Sequence, residues 1–247
     1  MNIFVQIGGL VLASLLVFQQ TIITNLNSGE VLGTISEIRS NLKESNLLIY
    51  IGKDQPLPKG FALNDLVNLK PIGYPSLFIS QQAYSSLSKL IKDSEEQGLN
   101  LKILSTYRSF QTQEILFNYY ANQYTVEVAN TFSAKPGYSE HQLSTTVDFG
   151  TGQSTDFTDL FAAEPEGIWL KENAYKYGFI LSYPQDKVKE TGYKFEPWHF
   201  RYVGEEVAMI INQNQWTLKE YQIHWLDNAI NQIKNSAWGL GVSGFLQ

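Results

Sequence analysis

Cysteine is absent from all 247 residues. That excludes a disulfide framework and any thiolate metal site, so a metal bound here must be held by histidine, aspartate or glutamate. The absence fits an intracellular chain and an exported one alike. Basic runs are missing as well. Eighteen Lys and Arg stand against 24 Asp and Glu, giving a net charge of −6 and an isoelectric point near 5.1. The chain therefore lacks the basic stripe by which a protein holds nucleic acid, and DNA and RNA are excluded as expected partners. Histidine is scarce, with only His141, His199 and His224. There is no internal repeat and no low-complexity tract.

What is present is a globular composition, 43% hydrophobic and 17% charged. The length suits one well-filled core, or one catalytic domain with tails. Residues Ile3 to Phe18 are apolar apart from Gln6 and Ser14, and the first basic residue is Arg39. The stretch is long for the apolar part of an export signal and short of the ~20 residues that span a bilayer comfortably. It lacks the positive flank that usually precedes such a signal. Residues 1–23 are read as an export signal or membrane anchor, with a buried first helix as the alternative. This places the protein in the cell envelope, membrane-anchored or secreted. Residues 24–46 read as a polar spacer, 47–225 as the folded domain and 226–247 as a helical tail.

Within the domain, Leu48 and Tyr50 suggest a lead-in strand, and Pro56 and Pro58 force an extended loop after it. Ala83, Leu87, Leu90 and Ile91 recur at helical spacing, so the pattern predicts a helix over Ser80–Gln97 ended by Gly98. Further helices are predicted over Ser109–Tyr124, Ile168–Tyr177 (closed by Gly178) and Gly204–Asn214. A last helix opens at Thr217, with Glu220 completing a capping box. Strands are predicted over Leu101–Leu104, Thr145–Phe149, Phe179–Ser182 and Lys194–Tyr202, with 125–140 as a loop. Helices and strands intermix without a βαβ rhythm, which implies an α+β fold. The expected form is a small, mostly antiparallel sheet flanked by helices.

Three segments concentrate chemistry. In Gly137-Tyr-Ser-Glu-His-Gln-Leu-Ser-Thr-Thr-Val-Asp148, the aspartate stands between Val147 and Phe149 in an apolar strand. A carboxylate there is costly unless it is paired, hydrogen-bonded or metal-bound. His141, seven positions earlier across a turn, can fold back on it. In Phe195-Glu-Pro-Trp-His-Phe-Arg201, Glu196 and His199 would face opposite ways on a regular strand. Pro197 between them disfavours a regular strand, so both side chains can enter one cavity. Two imidazoles and one carboxylate, with a glutamate beside them, are the parts of an open zinc site. Arg108 follows a strand and precedes a helix. Its guanidinium suits a terminal carboxylate or a developing oxyanion, and Gln113 one turn on adds an amide.

Taken singly, each of these residues has a plainer reading. On its own His141 reads first as a surface loop histidine and His199 as a satisfied core histidine, while Asp148 reads also as a turn cap, Arg108 as a structural ion pair and Glu196 as a surface carboxylate. Trp198 is equally core or groove wall, and His224 in YQIHWL reads as a helix-interface residue.

Together, Tyr107-Arg-Ser-Phe-Gln-Thr-Gln113, Gly137-Tyr-Ser-Glu-His-Gln142 through Asp148, and Glu196-Pro-Trp-His-Phe-Arg-Tyr-Val-Gly204 resemble the VanY-type D-alanyl-D-alanine carboxypeptidases. These belong to the wider group of lysostaphin-like, VanX/VanY and hedgehog-like zinc peptidases. The resemblance implies a zinc cofactor with His141, Asp148 and His199 as ligands and Glu196 as catalytic base. It implies Arg108 as a catalytic and substrate-holding residue, with Gln113 and Ser139 at positions that contact substrate; Trp198, beside His199, is a further substrate-binding candidate. The implied substrate is the D-amino-acid end of a peptidoglycan stem peptide. A dipeptidase or endopeptidase on cell-wall peptides, or a non-catalytic zinc protein that binds the wall, remain alternatives. Ser144 and Thr146 depart from the resemblance, standing where a glycine and a small alanine are usual.

Overall fold

The segment Thr146–Thr151, TVDFGT, alternates apolar and polar side chains yet is buried at all six positions. A strand of that kind must be covered on both faces. In the computed structural model, which describes residues 45–57, 61, 63–151 and 157–239, it is an inner strand of a four-stranded antiparallel sheet. The strands are β1 (Leu66–Leu69), β2 (Tyr74–Ser80), β3 (Leu101–Ser105), β4 (Thr146–Thr151), β5 (Phe179–Leu181) and β6 (His199–Tyr202). The large sheet runs β3-β4-β6-β5, and β1 and β2 form a separate hairpin. Seven helices accompany them among the described residues: α1 (Gln81–Glu96), α2 (Phe110–Gln123), α3 (Val126–Ala129), α4 (Pro165–Asn173), α5 (Val188–Thr191), α6 (Glu205–Asn214) and α7 (Leu218–Gly239). The fold class is α+β, as expected.

The sheet divides two environments. Leu101, Ile103, Val147, Phe149 and Phe200 belong to the hydrophobic core, together with Ala83, Leu87, Leu90 and Ile91 of α1 and Trp169 and Leu170 of α4. Alternation then sends Asp148, His199 and Arg201 to the opposite face. The serine hydroxyls that precede α1 and α2 cap their first turns, Ser80 accepting from the Gln82 N–H and Ser109 from the Thr112 N–H.

Local structure differs from the sequence expectation in several places. The lead-in strand at Leu48–Tyr50 is a 3₁₀ turn, Ser45–Leu48, followed by irregular chain. The carbonyls of Leu47 and Ile49 are taken by the Arg201 side chain instead of a neighbouring strand. The expected strand Lys194–Tyr202 begins only at His199, because Pro197 and a turn occupy its first half. The loop 125–140 contains α3, capped by the Thr125 hydroxyl. The helix expected to begin at Ile168 starts at Pro165, a residue favoured in a first turn. The β1–β2 hairpin has no counterpart in the sequence reading.

One compact unit spans Leu47–Leu218, and a second comprises 1–46 with 219–247. The expected signal or anchor segment, 1–23, and most of the spacer lie outside the described residues. No helix among the described residues is long and apolar enough to cross a membrane. Thr217, expected to cap the last helix, directs its hydroxyl to Glu190.

Gly178 ends a 3₁₀ turn at φ 80°. A Cβ there would lie 2.6 Å from the Tyr202 ring and 2.9 Å from the Gly204 backbone. Gly178→Ala therefore combines left-handed strain with a backbone clash. It is expected to cost about 2 kcal/mol or more, lowering Tm by roughly 4–8 °C in thermal unfolding. An unchanged Tm would contradict this packing.

Candidate metal centre

The antiparallel register of β4 and β6 sets Asp148 directly opposite His199. His141 arrives from a 3₁₀ turn, Glu140–Leu143, whose place is fixed from both sides. The His141 carbonyl accepts the Arg108 N–H at 3.1 Å, and the Ser144 carbonyl accepts the Ser80 N–H at 2.7 Å. Ser144 ends this turn in the left-handed region, φ 61°. That explains why glycine is usual here, and the Ser144 hydroxyl donates to the Leu143 carbonyl at 2.6 Å.

The three side chains meet. His141 Nε2 is 3.0 Å from Asp148 Oδ2, and His199 Nδ1 is 3.1 Å from Asp148 Oδ1. One ligand atom from each of the three lies within 4.8 Å of the others, and all three residues are buried. The outward nitrogens are both engaged. His141 Nδ1 is 2.6 Å from the Thr106 carbonyl, and His199 Nε2 is 3.0 Å from Glu140 Oε2. Each of those partners is an acceptor, so each outward nitrogen carries the proton. That leaves the inward nitrogens with lone pairs directed at carboxylate oxygens. Asp148 Oδ1 receives no well-directed hydrogen bond.

Lone pairs facing lone pairs at 3 Å repel unless a cation lies between them. Ligands held tetrahedrally by zinc at ~2.0–2.1 Å stand about 3.3 Å apart, close to the distances seen here. Donor types, spacing and tautomers all fit a zinc ion. Without one, the electrostatics favour a proton. Burial alone would lower the His199 pKa, but hydrogen bonds and charge from Asp148 and Glu140 raise it to about 10. Burial pushes His141 down, towards the neutral form that ligates. Burial works to raise Asp148, yet the charge and hydrogen bonds of the two histidines hold it far below the usual carboxylate range.

Glu196 sits beside this cluster, Oε2 3.6 Å from His199 Nδ1 and 7% exposed. The turn around Pro197 brings it there. The Glu196 carbonyl accepts the His199 N–H at 3.1 Å, and the two side chains lie side by side. Burial, followed by the like charges of Asp148 and Glu140, pushes its pKa up to about 8, against the opposing pull of His199.

Arg108 approaches from the link between β3 and α2, with Nη2 3.9 Å from Asp148 Oδ2. Gln113 is 1% exposed and spends its amide on two partners. Its Oε1 accepts from Arg108 Nη1 at 2.8 Å, and its Nε2 donates to the Ala134 carbonyl at 2.6 Å. In this arrangement Gln113 steadies Arg108. Ser139 is buried just before the His141 turn. Trp198 packs against the hydrophobic core and tilts on Phe157, ring centroids 5.5 Å apart. His224 lies on α7, bonded to Asn228. Sequence reasoning missed Glu140, Arg201 and Ser182. The only signal was that Glu140 adjoins His141 and Arg201 lies two residues from His199, the spacing that places both on one face of β6.

The family model for VanY, D-alanyl-D-alanine carboxypeptidase, matches residues 76–205. An Enterococcus gallinarum protein named as a bifunctional D-Ala-D-Ala dipeptidase and D-Ala-D-Ala carboxypeptidase is 32% identical over 195 residues, covering 76% of this chain and 99% of its own. Among solved structures, the D,D-pentapeptidase VanY of a VanB-type resistance cassette, in complex with Zn(II), aligns with TM-score 0.62 at 31% identity. That alignment covers 72% of this chain and 99% of the other. An L,D-carboxypeptidase, DacB, from Streptococcus pneumoniae aligns with TM-score 0.57 at 35% identity, covering 70% and 84%.

Because Asp148 and Glu140 favour a second proton on His199 in the metal-free site, zinc binding at pH 7.5 is expected to release at least one proton per chain. Titration calorimetry in buffers of differing ionisation enthalpy measures this. Zinc uptake without proton release would contradict the charge arrangement.

Proposed function

The chain belongs to the VanY family of D-alanyl-D-alanine carboxypeptidases, and from that premise we propose that it is a zinc-dependent carboxypeptidase. Its reaction is removal of a C-terminal D-alanine from peptidoglycan stem peptides outside the cytoplasmic membrane. The observation that carries the reading is the convergence of His141 Nε2, Asp148 and His199 Nδ1 within one buried cluster, with Glu196 beside them.

Held by those three groups, a zinc ion would supply Lewis acidity and lower the pKa of a bound water to ~7. Glu196 takes the proton of the attacking water and returns it to the leaving amine of D-alanine. A buried carboxylate whose pKa lies near neutrality is suited to hold that proton between the two transfers. Arg108, with one edge fixed by Gln113 and Ser105, presents its guanidinium to the developing oxyanion or to the terminal carboxylate. Glu196 and Arg108 speak against a non-catalytic zinc protein, since a purely structural site needs neither. The envelope location rests on the apolar stretch Ile3–Phe18.

The specificity has two candidates, because relatives of both kinds align: a D,D-pentapeptidase and an L,D-carboxypeptidase. Incubation with pentapeptide and tetrapeptide stems, with and without chelator, separates them. Chelator-sensitive release of D-alanine from one of the two stems is the expected result. Release of a dipeptide instead would replace the reading with a dipeptidase, and binding without product would end the catalytic assignment.

Two substitutions test the roles. Glu196→Ala is expected to keep its zinc while kcat falls by roughly 10²–10⁴-fold, and near-normal turnover would remove Glu196 from the role of base. His199→Ala is expected to lose zinc, as read by metal analysis after dialysis; full occupancy would contradict the ligand set.

A further inference from the structure

The two ring nitrogens of His199 are spent differently. Nδ1 faces Asp148 and Glu196, while Nε2 lies 3.0 Å from Glu140 Oε2. Glu140 is 4% exposed, and both its oxygens are in use. Oε2 also accepts from the Ser182 hydroxyl at 2.6 Å, and Oε1 accepts from Arg201 Nη1 at 2.9 Å. Arg201 is fully buried. Its other arm, Nη2, donates to the carbonyls of Leu47 at 2.9 Å and Ile49 at 2.5 Å. An unbroken chain of hydrogen bonds thus runs from the backbone at 47–49 through Arg201 and Glu140 to His199.

A ligating imidazole works only when its far nitrogen holds the proton and its ring is aimed correctly. An acceptor at that nitrogen sets both, and a negative acceptor makes the ligand more basic. A carboxylate can do this only if it is itself held still. The planar fork of an arginine holds it by two arms at a fixed angle, which a lysine cannot do. Here one arm is on Glu140 and the other is on the chain that leads into the domain. Burying Arg201 makes sense only with both arms satisfied.

We propose that Glu140 is the positioning residue of the metal centre and that Leu47–Ile49, acting through Arg201, are a structural part of that centre. The lead-in segment lies upstream of the span that the family model matches, which begins at residue 76. Its irregular form follows from this role, because its carbonyls face a guanidinium instead of a strand. The inference rests on the zinc-carboxypeptidase reading above.

The test uses the full-length chain carrying Glu140→Gln. Glutamine keeps the volume but loses the charge. Its amide cannot accept at both ends, so either Arg201 or His199 faces an N–H. The variant is expected to stay folded by circular dichroism and to yield its zinc to a chelator roughly 10–100-fold more readily than the parent chain. The visible absorption bands of its Co(II)-substituted form are expected to shift, a signature that loss of stability alone does not produce. Arg201→Lys is expected to weaken zinc in the same direction. The double variant is expected to be no weaker than Glu140→Gln alone, because Arg201 acts through Glu140.

Unchanged zinc affinity with an unchanged cobalt spectrum in Glu140→Gln would overturn the proposal. Losses that add in the double variant would also overturn it, by separating the lead-in segment from the centre. Should Glu140→Gln fail to fold, Glu140→Asp is read in its place, with the same outcomes. His199→Ala is run beside them. Zinc retained there sinks the metal reading itself. Zinc lost there but held normally by the Glu140 variant sinks only this inference.

Discussion

A slip of one residue between β4 and β6 would turn His199 into the hydrophobic core and bring Phe200 round to face Asp148. Side chains alternate strictly along a strand, so register is all or nothing. The buried apolar residues on the other face, Val147, Phe149 and Phe200, resist such a slip. The register held by the core thereby aligns two of the three candidate metal donors. His141 is the exception, placed by a turn, and that turn is pinned by backbone hydrogen bonds to Arg108 and Ser80.

The second constraint is electrostatic. Asp148, Glu140 and Glu196 are all buried within reach of one histidine, and two guanidinium groups, Arg108 and Arg201, accompany them. Such a cluster is expensive to assemble in a low dielectric unless every charge has a partner. The three acids are differentiated by those partners. Burial tends to raise Glu140, but Arg201 and hydrogen bonds from His199 and Ser182 hold it down at about 2. Asp148 is held lower still by two histidines. Glu196 has no such donor and is left near 8. Environments that push similar groups apart suit them to the different tasks proposed for them: orienting, ligating and carrying a proton.

Helix α2 holds the second guanidinium, Arg108, in place. Its cap at Ser109 ends the link that carries Arg108, and Gln113, one turn inside, ties the guanidinium to the Ala134 carbonyl. The arginine is thus held on two sides before any substrate arrives. Pre-organisation of this kind spares the reaction the cost of ordering a long side chain. Gln113, expected from the sequence to contact substrate, here also supports Arg108 through its Oε1.

Sequence alone determined the α+β class, the long helices and the residues with which the site is built. Those features leave local marks: helical spacing in α1, the glycine stop at Gly178, a carboxylate stranded between Val147 and Phe149, and a proline separating Glu196 from His199. The expected strand Lys194–Tyr202 starts only at His199, because Pro197 has no N–H for a ladder and sits in a turn. The β1–β2 hairpin stayed hidden because Pro71 and Pro75 interrupt its pattern and only part of it is buried. Tertiary structure alone decided which carboxylate meets which nitrogen. Glu140 looks like any polar residue in a loop, and Arg201 like a surface cation at a strand's end. Their roles depend on contacts across 61 and 154 positions of chain, and a hydrogen bond at that separation has no period, cap or turn to announce it.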